Sequence, residues 1–171
     1  MNLREFQIQV YPLKNKLFRF AKRFLERTDE AEDLVQEVFI RLWNRREKLD
    51  EYRSVEALAM IITKNMCLDK IKTRHYPFEN MDNQRLFLEN LPGEARTDHS
   101  DVINGIHQAI RMLPEMQQMI IHLRDIEEYE FDEIAEMLGI NENAIRVNLS
   151  RARKRVREIL INSNIYEYQR N

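Results

Sequence analysis

The sequence predicts an all-α protein: two small helical domains joined by a flexible linker, the C-terminal one a helix-turn-helix. Three observations predict it. Apolar residues recur at spacings of three and four and not in alternation. Only three Gly and four Pro occur in 171 residues, few for a fold built on many tight turns. One stretch, residues 76–100, breaks the periodicity with Pro77, Pro92 and Gly93 and carries scattered acids, including Glu79, Asp82, Glu89, Glu94 and Asp98. Hydrophobic residues make up 43% of the chain, enough to close a core.

In the first half, helices are expected at roughly Tyr11–Arg27, Ala31–Arg45 and Val55–Arg74. The second carries one continuous apolar stripe, Ala31, Leu34, Val35, Val38, Phe39 and Leu42, at i, i+3, i+4, i+7, i+8 and i+11. Asp29 followed by Glu32 resembles a capping box at its start. Its opposite face gathers Asp33, Gln36 and Glu37 with an apolar Ile40. In the third helix, Leu58, Ile61 and Ile62 define an apolar stripe that Asn65 and Asp69 continue. Polar groups so placed must find hydrogen-bond partners or line a site. Lys64, Lys70, Lys72 and Arg74 make the end of this helix basic.

The irregular stretch reads as an acidic interdomain linker with room for a short helix near Gln84–Glu89. Helices are expected again near Val102–Met112, Glu115–Arg124, Asp132–Leu138 and Glu142–Ile161. The domains are therefore 1–75 and 101–171, with 76–100 between them. Ala135, Gly139 and Ile145 have helix-turn-helix spacing: a small residue lets two helices approach, and the glycine supplies a left-handed turn. Asn141 suits the N-cap of the last helix. Ile134, Leu138, Ile140 and Ile145 then close a small core. Ile145, Leu149, Ala152 and Val156 form the inner stripe of the last helix, which turns Asn143, Arg146, Val147, Ser150, Arg151 and Lys154 outward. Amide, guanidinium, hydroxyl and methyl groups on one face suit base edges in a major groove, and the flanking Arg153, Arg155 and Arg157 suit phosphates.

Charge agrees once it is read locally. The whole chain carries a formal charge of −2, but six acids and no base lie between Glu127 and Glu136, followed by the basic run from Arg146 to Arg157. Such a local field steers a ligand that the net charge hides. No apolar run is long enough to span a membrane, and the first residues, Met1-Asn2-Leu3-Arg4-Glu5-Phe6, lack the apolar core of a signal peptide. A single cysteine, Cys67, cannot form an internal disulfide, and a reduced cytoplasm is expected. The four histidines are scattered and no metal-ligand, phosphate-loop or nucleophile motif appears. The expectation is a protein that is not an enzyme and needs no cofactor and no metal.

These residues carry a resemblance. Asp29-Glu30-Ala31-Glu32-Asp33-Leu34-Val35-Gln36-Glu37-Val38-Phe39 resembles the polymerase-binding segment of the extracytoplasmic-function sigma factors of the sigma-70 family. Asn65-x-x-x-Asp69, with bases after it, is similar to the family's −10-reading segment. Leu113-Pro114, Glu133-Ile134-Ala135, Leu138-Gly139 and Ser150-Arg151-Ala152-Arg153 resemble its −35-reading domain. The motifs fall in the family's order and span nearly the whole chain. Two departures stand out. Asn143-Ala144-Ile145-Arg146-Val147 replaces the usual Gly-Thr-Val-x-Ser, and Ala57, Leu58 and Ala59 stand where many relatives have a tryptophan.

The resemblance implies a sigma factor that binds core RNA polymerase and directs initiation at promoters through −10 and −35 recognition. It implies core RNA polymerase and promoter DNA as partners, an anti-sigma factor as a candidate third, and no membrane insertion. Asp33, Gln36, Glu37 and Ile40 would dock on the clamp of the largest polymerase subunit. Arg53 and Ser54, in the loop Asn44–Ser54, with Lys64, Asn65, Asp69, Lys72 and Arg74, would handle −10 DNA around a flipped base. Asn143, Arg146, Val147, Ser150, Arg151, Arg153 and Lys154 would meet the −35 element. The acidic linker would thread towards the active site and the RNA exit path. A stand-alone DNA-binding regulator is the competing reading; it explains the helix-turn-helix but not the Asp33-Gln36-Glu37 face or the Asn65/Asp69 pair.

Overall fold

The computed structural model describes residues 1–75 and 99–163, and all regular structure among them is helical. The expected linker and its short helix lie outside the described residues. The chain divides into two compact units, Met1–Glu79 with Ala135–Gly139, and Asn80–Ile134 with Ile140–Asn171.

The first unit contains α1 (Leu3–Gln9), α2 (Lys14–Phe24), α3 (Thr28–Asn44) and α4 (Val55–His75), with short 3-10 segments at Tyr11–Leu13 and Arg46–Glu51. Each of α2, α3 and α4 packs on the other two. Their shared core is built from Leu17 and Phe20, from Leu34, Val38 and Leu42, and from Met60 and Cys67. Burial pushes the Cys67 thiol up to about 12, so it stays protonated at neutral pH and serves as an apolar filler. Thr63, also fully buried, donates its hydroxyl to the Ala59 carbonyl at 2.8 Å and leaves no stranded polar group.

Sequence and structure differ at three places in this unit. The expected helix Tyr11–Arg27 opens as a 3-10 turn, where Pro12 is tolerated because it lacks only a free N–H, and it ends at Phe24 as Leu25 turns extended and buries itself. The expected capping box at Asp29 and Glu32 does not form. α3 starts one turn earlier, so Asp29 lies inside the first turn, and its carboxylate takes the Arg27 guanidinium, with Nε donating at 3.0 Å. That hydrogen bond lowers the Asp29 pKa. The reciprocal box sits instead at the head of α1: Glu5 N–H donates to Asn2 Oδ1 at 2.9 Å and Asn2 N–H to Glu5 Oε2 at 2.7 Å. Nothing in α1 is fully buried, which is why no stripe announces it.

The third difference concerns α4. Asn65 and Asp69 are exposed, and Ile61 and Ile62 are only half-buried. Past the head of the helix, where Ala57 and Leu58 are buried as well, the buried face runs through Ala59, Met60, Thr63, Met66 and Cys67. At 100° per residue it lies about a third of a turn away from the stripe that Leu58, Asn65 and Asp69 share. The two polar side chains therefore need no buried partners.

The second unit contains α5 (His99–Arg111), α6 (Glu115–Ile121), the start of α7 (Phe131–Leu138), whose residues from Ala135 on fall in the first unit, and α8 (Glu142–Asn162). α5 and α6 both pack on α8, and Ala109, Ile110, Met119, Ile120 and Leu123 share their burial with Ile145, Leu149, Ala152 and Leu160. The expected helix Glu115–Arg124 widens after Ile121 into a π turn, His122–Ile126, closed by the Glu127 N–H on the His122 carbonyl at 3.0 Å. The turn brings two buried side chains together, with His122 Nε2 3.6 Å from Glu127 Oε1. Glu128 then takes a left-handed φ of 60°.

Gly139 ends α7 with φ 68°, as the motif requires, and a Cβ there would meet nothing within 4 Å. Gly139→Ala is therefore expected to cost only the left-handed backbone penalty, about 1–2 kcal/mol, with Gly139→Asn costing less. Urea unfolding of both variants checks this; a loss well above that range would mean that crowding is involved. Asn141 caps α8, its Oδ1 accepting from the Ala144 N–H at 2.8 Å.

Candidate polymerase and nucleic-acid interfaces

Three surfaces emerge from the residues singled out in the sequence. On α3 the apolar stripe holds Ala31, Leu34, Val35, Val38 and Leu42 inside, with Phe39 half-buried at its edge. Helical geometry then sends Asp33, Gln36, Glu37 and Ile40 to the other side. Asp33 and Gln36 are exposed, and Ile40 leaves 53% of its surface in solvent. Glu37 is held in place by Arg41, whose Nε donates to Oε1 at 3.0 Å. All four occupy one acidic face with an apolar centre.

Beside that face lies a groove of about 540 Å³ walled by Tyr11, Phe18, Val35 and Phe39, with Lys14 and Gln36 at its rim. The Tyr11 and Phe39 rings stack at 6.4 Å with 15° between planes. Sequence reasoning passed over Tyr11, since one aromatic at a helix start carries no periodic signal.

The second surface is α4 and the turn before it. Ser54 caps the helix, its Oγ accepting from the Ala57 N–H at 3.1 Å. Arg53 precedes it, exposed. Along the helix Asn65, Asp69 and Lys72 are exposed, and Asn65 and Asp69, one turn apart, share a face. Lys64 is half-buried, and burial lowers its pKa. Arg74 lies in the last turn of the helix.

The third surface is the outer side of α8. Ile145, Leu149, Ala152 and Val156 point inward, and Asn143, Arg146, Val147, Ser150, Arg151, Arg153 and Lys154 lie on the outer side, all of them exposed. The structure divides this set. Arg146 and Arg153, two turns apart, lie on one flank, and both are engaged by acids. Arg153 makes a two-pronged contact with Asp125 of the wide turn, through Nη2 at 2.6 Å and Nε at 3.0 Å, and this raises its pKa. Arg146 pairs with Glu142 at 2.9 Å, and its guanidinium carbon lies 4.4 Å from the centre of the Phe131 ring. Arg151 and Lys154 stand on the crest between Val147 and Ser150, and no ion pair or hydrogen bond holds either among the described residues. Phe131 and Asp125 escaped sequence reasoning, because an acid and a lone phenylalanine beside a basic helix read as ordinary surface.

Among the described residues no group of His, Cys, Asp or Glu side chains could hold a metal ion, and no helix is long and apolar enough to cross a membrane.

Comparison with known proteins places both units. Residues 11–75 match the family described as Sigma-70 region 2, and residues 103–156 match Sigma-70, region 4. The chain is 27% identical over 158 residues to the ECF RNA polymerase sigma factor SigW of Bacillus subtilis, covering 86% of this chain and 84% of SigW. It is 26% identical over 160 residues to the RNA polymerase sigma-E factor of Streptomyces coelicolor, covering 92% and 86%. Its fold is shared with the sigma factor RpoE of Bartonella quintana, solved in complex with the anti-sigma factor NepR. That match has a TM-score of 0.72 at 21% identity and covers 92% of this chain and 98% of that one.

Proposed function

The chain belongs to the extracytoplasmic-function group of the sigma-70 family, and from that premise we propose which of its residues meet polymerase and which meet DNA. It is a sigma factor: it binds core RNA polymerase and promoter DNA, directs promoter-specific initiation and is not an enzyme. The observation that carries this is the order of two sigma-70 regions along one chain, 11–75 and then 103–156. Run-off transcription with core polymerase tests it. Start sites should appear only when the protein is added, and their absence from a genomic template library would sink the reading.

In this reading residues 1–75 form the polymerase-binding and −10 domain, 76–100 the linker and 101–171 the −35 domain. The protein works in the cytoplasm, where the polymerase is. Asp33, Gln36, Glu37 and Ile40 dock on the polymerase: an acidic face around an exposed apolar residue suits a basic partner with an apolar centre. The solved complex of RpoE with NepR supports an anti-sigma factor as a third partner.

Arg53, Ser54, Lys64, Asn65, Asp69, Lys72 and Arg74 serve the −10 element. Single-stranded DNA is read by stacking and by base-edge hydrogen bonds, and the exposed Asn65 and Asp69 offer such edges without a folding role. Asn65→Ala is therefore expected to change stability by less than about 0.5 kcal/mol, as exposed substitutions do, and to weaken transcription from duplex promoters. A template pre-melted across the −10 region separates base reading from strand opening. Equal activity of wild type and variant on duplex DNA would remove Asn65 from the site.

On α8, Arg151, Lys154, Asn143, Ser150 and Val147 form the reading crest, with Arg146 and Arg153 on its flank. Val147, 47% exposed, presents methyl groups that fit a thymine methyl. A regulator acting without polymerase would bind duplex tightly by itself. A sigma factor binds weakly until polymerase tethers both domains and raises their effective concentration.

A further inference from the structure

The Phe131 ring stands between two guanidiniums that the DNA-reading assignment treats unequally. Arg124 is fixed by the protein. Its Nη1 donates to the Tyr129 carbonyl at 2.7 Å and lies 3.1 Å from a Glu130 carboxylate oxygen, and its guanidinium carbon is 4.8 Å from the Phe131 centroid. Arg146 approaches the same ring at 4.4 Å while Glu142, one turn earlier on α8, holds its Nη2 at 2.9 Å. A run of contacts thus leads from the backbone before α7, through one arginine and one ring, to an exposed arginine on the recognition helix.

An exposed arginine ordinarily samples many rotamers, and ordering it for a two-pronged base contact costs entropy. Stacking on a ring occupies the flat face of the guanidinium and leaves its N–H edge free to donate. An i, i+4 carboxylate alone fixes such a side chain weakly when both groups are half in solvent. The ring supplies what the carboxylate lacks, a surface of defined position on a different helix.

We propose that Phe131 is a positioning residue for promoter reading, holding the Arg146 guanidinium on its ring so that its N–H edge is presented to one base pair of the −35 element. This rests on the assignment of α8 to the −35 element, and it adds a residue outside the recognition helix. Phe131 touches no base itself; its effect passes through Arg146.

Full-length protein with core polymerase, transcribing a promoter library randomised across the −35 element, tests this by sequencing the transcripts. Arg146→Ala should flatten base preference at one position. Phe131→Leu, which keeps apolar volume and removes the ring, should reduce preference at that same position about five- to tenfold, leaving the other positions unchanged. Phe131→Tyr should retain it. In the double variant Phe131→Leu/Arg146→Ala, that preference should fall no further than in Arg146→Ala alone. If Phe131→Leu melts below the assay temperature, Phe131→Met supplies the ringless comparison. The proposal is overturned if the ringless variant keeps the wild-type preference, if it loses activity equally on all sequences, or if Arg146→Ala leaves every position unchanged. The assignment of α8 fails separately: Arg151→Ala and Lys154→Ala would then leave promoter activity untouched.

Discussion

Reversing charge at Asp33 and Glu37 together, as Asp33→Lys/Glu37→Lys, is expected to abolish binding to core polymerase while leaving the free protein folded. Both side chains lie on the outward face of α3, opposite the stripe that buries Leu34, Val38 and Leu42. Asp33 is exposed, and Glu37 makes only an i, i+4 pair with Arg41 in which both side chains are about half exposed. Replacing that pair by a like-charge pair costs on the order of 0.5 kcal/mol. At the interface the same change sets two lysines against a surface that receives carboxylates. Like charges facing across an interface cost several kcal/mol, and about 3 kcal/mol is already a hundredfold in affinity. Titration of labelled protein with core polymerase, beside a circular dichroism melt, separates the two consequences. A variant that unfolds makes the carboxylates structural; one that still binds at wild-type affinity takes them out of the interface.

The second large effect is expected at the crest of α8. Arg151→Ala/Lys154→Ala should reduce transcription from a −35-dependent promoter on the order of 10- to 100-fold at physiological salt. It should also make the salt dependence of promoter binding shallower, by about one unit of slope for each phosphate that is no longer neutralised. Neither side chain is tied to a described acid, so neither must be released before it meets DNA. Arg153 differs. Its two-pronged hold on Asp125 must be exchanged for a phosphate, and an exposed pair of this kind is worth up to about 1 kcal/mol. Arg153→Ala should therefore cost less promoter activity than Arg151→Ala. If Arg153→Ala proves the more damaging, the division of α8 into a free crest and an engaged flank is wrong.

Much of the fold was legible in residues three and four apart. The α3 stripe, the α8 stripe, the left-handed Gly139 and the Asn141 cap are local patterns, set within one or two helical turns. α4 was misread because its sequence offers two apolar faces. Leu58, Ile61 and Ile62 form one; Ala59, Met60, Thr63, Met66 and Cys67 form the other, which includes the polar threonine. Periodicity does not choose between them, and α2 and α3 chose by packing on the second. α1 was missed for the opposite reason: it buries no residue fully and so leaves no stripe.

The candidate surfaces divide along the same line. By itself the sequence determined which residues face outward on α3 and α8, because one buried stripe fixes the phase of the whole helix at 100° per residue. It also determined the family, through motifs that keep their order along the chain. Only the tertiary structure decided which of the outward arginines are already engaged. Asp125 and Arg153 are 28 residues apart, and Phe131 meets Arg124 and Arg146 from a different helix than either. A helical period carries no information over such separations, since whether two distant side chains meet depends on how the helices pack and on the turns between them. The wide turn after Ile121 and the left-handed Glu128 set where Asp125 and Phe131 stand, and neither has a signature in the residues that form it.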